Sequence, residues 1–570
     1  MSVRRSRFFI TGNTMTRKTR ILIANDASSL GTGYGVYGKE LLTRLHNTGK
    51  YEIAELACYV NMDNAEALAK TVPWKIYPNA PSANDTEQQR KNFGLAPYNA
   101  FGAWRFDPVC LHFKPDIVFD VRDYWMYAYQ ETSPCRPYFK WVVMPTVDSA
   151  PQKNEWLHTF SNMDLVVPYT EWARDTLTQQ CGDTINLFPE IANAGVDLDL
   201  FKPAENRKEL QKKMFGENME ITGCVMRNQK RKLIPNVLKA YRSYLDRLLA
   251  SGETEKYNKS YLYLHTSYPE SSGWDLPQLL VEHNMLNKTY FTNICLKCQS
   301  VSISKFHHHP SVCDNCGNLA CTMPNAGSSV PTEHLAVVYQ LFDLFLQVAI
   351  CEGFGMPQVE AAACGVPIAS VDYSAMSEIV RKLEGYPIPV KTLFRELETG
   401  ADRANPDNEA ITDIVYNYFH MSEAEQEKKS KKTRELCEKY YSWDLVAEVW
   451  DRAFSSVDIN DKPAWDGPKR ATNPGLKVPS ELGSREMIEF ILKEIIMEPQ
   501  LLYSSPVQRL IMDFSAGFTA SGKANAMMPL KSQDVINQLQ TLLKRKTGFE
   551  NMRMNPEALF AESYLNVNNQ

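Results

Sequence analysis

The sequence predicts an α/β protein built from two doubly wound halves, and three observations carry that prediction. Short apolar runs alternate with helix-period segments in two separate series, one from Thr19 and one from about residue 206. The runs are continuously apolar, as strands of a parallel sheet covered on both faces must be. Polar, charged text around residues 201–216 separates the two series. At 570 residues the chain exceeds one core and suits about three or four domain-sized units.

In the first series, "TRILIAND" reads as a strand, "SSLGTGYG" as a turn and "VYGKELLTRLHNTG" as a helix stopped by Gly49. "YEIAELACYV" is a second strand. "PDIVFDVRDYW" places a buried strand over residues 117–119 before a polar loop, and "YFKWVVMPTVD" and "MDLVVPYT" add two more apolar runs. The second series holds "ITGCVMRN", the helix "IPNVLKAYRSYLDRLLA", "SYLYLHTSY", "LFDLFLQVAI" and "VPIASVDY", and the helical "SWDLVAEVWDRAF" closes that half. The expected organisation is a basic arm (1–18), a first domain (19–205), and a second domain (206–455) interrupted by an insertion at about 291–330. A Pro- and Gly-rich linker (456–484) and a helical extension (485–570) follow, the extension carrying "REMIEFILKEII" and "SQDVINQLQTLLKRK".

A hydrophobic content of 44% and a charged content of 23% exclude a disordered or fibrous chain. No apolar run is long enough to span a bilayer and none near the start resembles a secretion signal. With thirteen cysteines, this predicts a reducing, cytoplasmic setting, a host's cytoplasm if the chain is viral. The net charge of -5 argues against a polyanion-binding surface all round and leaves room for a local patch. The first twenty residues carry six basic side chains and no acidic one, an arm suited to nucleic acid or an anionic surface.

Four motifs carry chemistry. "GYGVYG" (Gly33, Gly35, Gly38) follows a strand and opens a helix, where glycine lets backbone approach a pyrophosphate. A dinucleotide site would want an acid at the end of the next strand, and Glu55 sits inside it instead. In "VMRNQKRK", Arg227 and Lys232 stand at the carboxyl end of a predicted strand, placed to converge on a diphosphate. In "ICEGFGMPQVEAAACGVP", a Gly-rich loop holds Glu352, Gly353, Phe354 and Gly355. Pro357 is expected at the first helical position and Glu360 on the first turn, so two carboxylates flank a loop of open N–H groups. That set suits a polyhydroxylated, phosphorylated ligand. Finally, Cys295/Cys298 and Cys313/Cys316 form two C-x2-C pairs that offer four thiolates to a tetrahedral zinc ion, a closed and therefore structural site. His307 and its two histidine neighbours are expected at the tip between the pairs, free to meet solvent or a partner.

The Glu-x7-Glu arrangement in "EGFGMP" and "EAAACGVP", with "SEIV" and "RNQKRK", resembles the retaining glycosyltransferases of family 4 with the GT-B fold, which include sucrose and glycogen synthases and bacterial mannosyltransferases. "LHTSYPESSGWDLPQLL" and "ANAGVDLDLFKP" extend the resemblance over residues 19–454. It implies two Rossmann-like domains facing a cleft and a nucleotide-sugar donor, expected to be a UDP-sugar, with no catalytic metal. Glu360 would bind the ribose and Glu352 the donor sugar. Arg227 and Lys232 would neutralise the diphosphate, with Gly353, Phe354 and Gly355 beside it and the Gly31–Gly35 loop approaching from the first domain. The family's first-domain histidine is missing from "PDIVFDVRDYW"; Asp120, Arg122 or Asp123 must stand in, and Asp123 is the choice. The cysteine insertion, the basic arm and the extension point to a macromolecular acceptor, first of all a hydroxylated or hydroxymethylated base in DNA as in viral DNA-modifying members. A glycan, lipid or protein acceptor is the alternative. A non-catalytic nucleic-acid-binding scaffold would leave both glutamates and both cations idle, and a nicotinamide oxidoreductase would leave the second half unexplained.

Overall fold

The computed structural model describes residues 17–307, 310–325, 328–465, 484–490, 492–493, 502–503, 507–508 and 511. Most of the basic arm, two histidines of the expected tip and the second helical stretch of the extension (532–546) lie outside the described residues.

The first domain is a six-stranded parallel sheet of β1 (Thr19–Asp26), β2 (Tyr51–Cys58), β3 (Lys75–Pro78), β4 (Ile117–Arg122), β5 (Lys140–Pro145) and β6 (Leu165–Val166), ordered β3-β2-β1-β4-β5-β6. β4 runs three residues further than the apolar pattern suggested. Asp120 and Arg122, two apart and so on one face of the strand, pair with each other at no solvent exposure. Neither is therefore open to a substrate.

The second sheet repeats this topology. Its strands, in chain order, are β7 (Glu220–Val225), β8 (Ser260–His265), β9 (Thr289–Cys295), β10 (Val301–Lys305), β11 (Ser311–Val312), β12 (Leu319–Thr322), β13 (Leu344–Gln347), β14 (Ile368–Val371) and β15 (Tyr386–Ile388). The parallel core is ordered β9-β8-β7-β13-β14-β15. An antiparallel hairpin, β16 (Val390–Arg395) and β17 (Asp402–Pro406), follows it. The helix Ile234–Ala250 shows how burial fixes these layers. Ile234, Val237, Leu238, Tyr241, Leu245 and Leu248 recur at three- and four-residue spacing and are all fully buried, Pro235 opens the helix, and Gly252 follows its end with φ +77°.

β9 pairs with β8 only through Phe291; β10 pairs antiparallel with it from Tyr290 to Ile294, and β12 antiparallel at Ile294 and Cys295. The cysteine insertion thus grows out of the carboxyl end of a core strand.

The chain crosses between domains twice, and the two crossings touch. Val196 bridges to Ser442, and Gly195 lies so close to the backbone of Trp443 that a Cβ would have no space. After the second crossing the helix Trp443–Ser455 packs on the first domain, not on the half the sequence reading closed with it. Trp450 is fully buried against Phe119, and its indole N–H donates to the Tyr37 hydroxyl at 2.8 Å. Tyr37 in turn donates to the Ala192 carbonyl in the first crossing. Trp450→Ala should therefore lower unfolding free energy by about 3–5 kcal/mol in urea denaturation, through lost burial and the lost hydrogen bond to Tyr37.

Candidate functional site

Each sheet reverses its strand order once, between β1 and β4 and between β7 and β13, and the crevice outside the carboxyl ends at such a point is where α/β sheets bind ligands. The sequence-predicted residues fall on both. Arg227 and Lys232 follow β7, and Glu352 follows β13. Gly33 follows β1 and Asp123 follows β4.

At the second switch point Glu352 is 5% exposed. Its carboxylate accepts from the Lys232 ammonium, from Arg231 at 3.1 Å and from Gln347 at 3.0 Å. The backbone holds this arrangement: Lys232 bridges to Ala349, and the Glu352 N–H donates to Ser374 Oγ, which donates back to the Glu352 carbonyl. Arg227 turns away from Lys232 and pairs with Glu270 at 2.9 and 3.0 Å. Arg227, Arg231 and Lys232 thus face two carboxylates, and burial with the neighbouring Arg231 charge pushes the Lys232 ammonium well below its usual range, a cost that an entering anion would offset. Arg231 is a member that sequence reading missed, hidden in a run of like charges.

Gly355, with φ +89°, precedes the helix Met356–Ala363, whose N-terminus has no side-chain cap; Pro357 has no N–H and the Gln358 N–H donates to the Gly355 carbonyl, which leaves the Met356 N–H for a ligand. Pro357 is the second helical residue rather than the first, and Glu360 the fifth, just past the first turn. Glu360 accepts from the Tyr339 hydroxyl at 2.6 Å, and burial pushes its carboxyl up to about 7. Phe354 is buried with its ring stacked on Tyr169 of the first domain, centroids 5.2 Å apart. Its side chain is domain packing, and only its backbone remains for a ligand.

The opposite wall belongs to the first domain. Thr32 caps the helix Gly33–Asn47 by accepting from the Gly35 N–H, and a Cβ on Gly35 would strike the Ala27 and Leu30 carbonyls. Gly35 is therefore a turn residue, while exposed Gly33 lies across the crevice from Met356. Glu55 accepts from the Ser28 N–H and hydroxyl and from Trp74, so the buried acid of β2 anchors this loop. Asp123 ends β4. Burial and the charge of Asp148 raise its carboxyl to about 7, against hydrogen bonds to Tyr34 and Thr146 and the charge of Arg231.

Two contacts close the crevice. Gly353 abuts Thr146 with no room for a Cβ. Arg403, from β17, reaches Asp148 of the first domain at 2.9 Å and Glu396 at 2.7 Å, and also meets Cys351. Arg403 had no sequence signal, since its partners lie far off in the chain or across a hairpin.

The four cysteines of the insertion converge. Their sulfurs lie within 4.8 Å of one another, with Cys295–Cys316 at 3.6 Å and Cys298–Cys313 at 3.7 Å. Four bonds of about 2.3 Å to one tetrahedral zinc ion would separate sulfurs by roughly 3.8 Å, so the set fits. The residue after each pair, Gln299 or Gly317, takes positive φ and closes a matching knuckle. Hydrogen bonds from Ser300 and Asn315 hold the Cys298 thiol down at about 5, and Ser300 holds Cys313 at about 7, which favours thiolate at these two positions, while Cys316 is raised. Burial pushes neighbouring Cys321 up to about 12. His307 hydrogen-bonds Ser304, Ser311 and the Lys305 carbonyl, so it braces the loop instead of meeting solvent freely.

Residues 327–417, which contain Glu352, Glu360 and the β13–β15 strands, match the family model for glycosyl transferases group 1. No curated protein matches the chain. Sucrose-phosphate synthase from Thermosynechococcus elongatus is similar with a TM-score of 0.53 and 15% identity, over 77% of this chain and 100% of that one. Anabaena HepE, solved in complex with UDP and glucose, is similar with a TM-score of 0.51 and 12% identity, over 77% and 100%. The fold is GT-B: two Rossmann-like domains facing a cleft, with the cysteine insertion in the second.

Glu360 and Asp123 give the fold a pH signature. Their folded pKa values, about 7, exceed the 4.5 and 3.8 of free carboxyls. Across that window the folded state keeps protons the unfolded chain has released, so stability falls as pH rises. Glu360→Gln and Asp123→Asn should each gain melting temperature relative to the parent between about pH 5 and about pH 8. Thermal melts at the two values check this; parallel shifts of all three proteins would refute it.

Proposed function

We propose that the protein transfers a sugar from a nucleotide-sugar, read as a UDP-sugar, to a hydroxyl acceptor with retention of anomeric configuration. The observation that carries this reading is Glu352, nearly buried at a GT-B switch point between a cation cluster and an uncapped helix N-terminus. The reading is supported by the group 1 match over this region and by a structural neighbour solved with UDP and glucose.

The roles follow from the chemistry. Glu360 is placed to accept from ribose hydroxyls once ionised, and Glu352 from hydroxyls of the donor sugar. A diphosphate entering the cleft competes with Glu270 and Glu352 for Arg227, Arg231 and Lys232. As the bond between the anomeric carbon and the diphosphate breaks, these cations and the Met356 N–H behind Gly355 meet the developing negative charge. The acceptor oxygen bonds the same face of the anomeric carbon, and its proton passes to Asp123, whose raised pKa suits a base near neutrality. Zinc on Cys295, Cys298, Cys313 and Cys316 would hold the insertion together as a ribbon, with no open position for chemistry.

For the acceptor, the reading is a hydroxymethylated base in DNA. It is supported by the ribbon's origin at the ligand edge of the second domain; the segment returning from it places Ser329 against Gly31 across the cleft.

Incubation with labelled nucleotide-sugars tests the enzyme reading, and an absence of both hydrolysis and transfer would sink it. Glu352→Gln should cut turnover by on the order of a hundredfold while zinc content stays unchanged. Replacing residues 296–320 by a short loop should abolish zinc binding, spare UDP binding, and lose transfer to DNA carrying hydroxymethylcytosine. Acceptor use that survives the replacement would reduce the ribbon to a staple.

A further inference from the structure

Trp125 keeps 51% of its surface exposed, and none of the chain's nine other tryptophans is exposed to that extent. It lies two residues beyond Asp123, in the short helix Tyr124–Tyr127 that follows β4. Trp156 stands beside it, on the first turn of the helix Asn154–Ser161 after β5, with ring centroids 6.3 Å apart and planes at 58°. Both helices start at the carboxyl edge of the first sheet, the edge that forms the cleft. Tyr124 backs the pair, stacked on Trp156 at 5.4 Å, and the Lys153 ammonium lies 5.6 Å from the Trp156 ring centre.

An indole left half in water gives up much of the stabilisation that burying it would bring. Trp125 is not needed to complete the core, which Tyr127 and Trp141 fill beneath it. We infer that Trp125, flanked by Trp156, is the platform on which the acceptor's nucleobase stacks. This rests on the reading of the acceptor as a base in DNA. A base taken out of its helix needs a flat, sequence-tolerant partner, and an aromatic face supplies one. A sugar ring would instead need hydrogen-bonding groups around its rim. The Tyr124 hydroxyl is engaged with Thr159, and the Glu131 carboxylate with Thr159 and Asn162, so neither is offered to a sugar's rim. Lys153 stands where a flanking phosphate would be met.

The test uses the full chain without any donor, so it reads the platform whether or not sugar is transferred. Fluorescence anisotropy compares a single-stranded oligonucleotide carrying one hydroxymethylcytosine with the same strand abasic at that position. The parent should prefer the base by about tenfold. Trp125→Ala should erase the preference and Trp125→Phe restore most of it, with UDP affinity read alongside to check the cleft. The inference falls if Trp125→Ala keeps the preference or weakens both strands equally. It also falls if the substitution lowers only stability, which would mean the chain itself covers this face, or if it weakens an oligosaccharide and not DNA. Sugar transfer to DNA that persists undiminished in Trp125→Ala would remove the platform while leaving the enzyme intact.

Discussion

A carboxylate that is 95% removed from water cannot stay charged unless cations replace the solvent, and Glu352 imposes that condition on the second domain. Lys232 and Arg231 meet it, and they do so because the loop after β7 is stitched to the loop after β13 by the Lys232–Ala349 bridge. Stripping one partner from such a buried pair typically costs about 3–5 kcal/mol. The strand order, the cation run and the glutamate loop are therefore one structure. β7 and β13 must be neighbours for the charges to cancel, and being neighbours across a switch point is what opens the crevice beside them.

The same charges explain how a closed cleft can still take an anion. Arg227 is held by Glu270 on the surface, a contact that solvent weakens. Arg231 is shared, so neither guanidinium is locked. An anion of higher charge than either glutamate would draw on these cations and on the helix N-terminus behind Gly355 as well. The domains are held together by contacts of two kinds. Phe354 on Tyr169 is apolar and sits behind the cleft, whereas Asp148 with Arg403 and Cys351 is polar and sits at its mouth.

Much of this was legible in the sequence wherever the signal is local. Continuous apolar runs gave both parallel sheets, and the Glu-x7-Glu and C-x2-C spacings placed their side chains because turn and helix geometry fixes short separations. What escaped notice depends on distance. Asp120 and Arg122 read as loop because two charges in a strand look foreign until each is seen to cancel the other. Phe354 and Gly35 sit within ligand-binding motifs, yet one packs on Tyr169 and the other on the carbonyls of its own turn. The helix Trp443–Ser455 looked like the end of the second half; only the partner of Trp450, some four hundred residues away, shows that it belongs to the first.

The absence of a histidine after β4 acquires a physical meaning from its surroundings. A histidine there would titrate near neutrality by its own chemistry. Asp123 reaches the same range by burial and by the charge of Asp148, which Arg403 holds in place from the second domain. The proton affinity of the first-domain acid is thereby tied to contact between the domains. If the Asp148–Arg403 pair parts as the cleft opens, water reaches Asp123 and its carboxyl drops back toward ordinary acidity. The raised proton affinity of Asp123 holds only when both walls are in place, a dependence that a histidine would not have had.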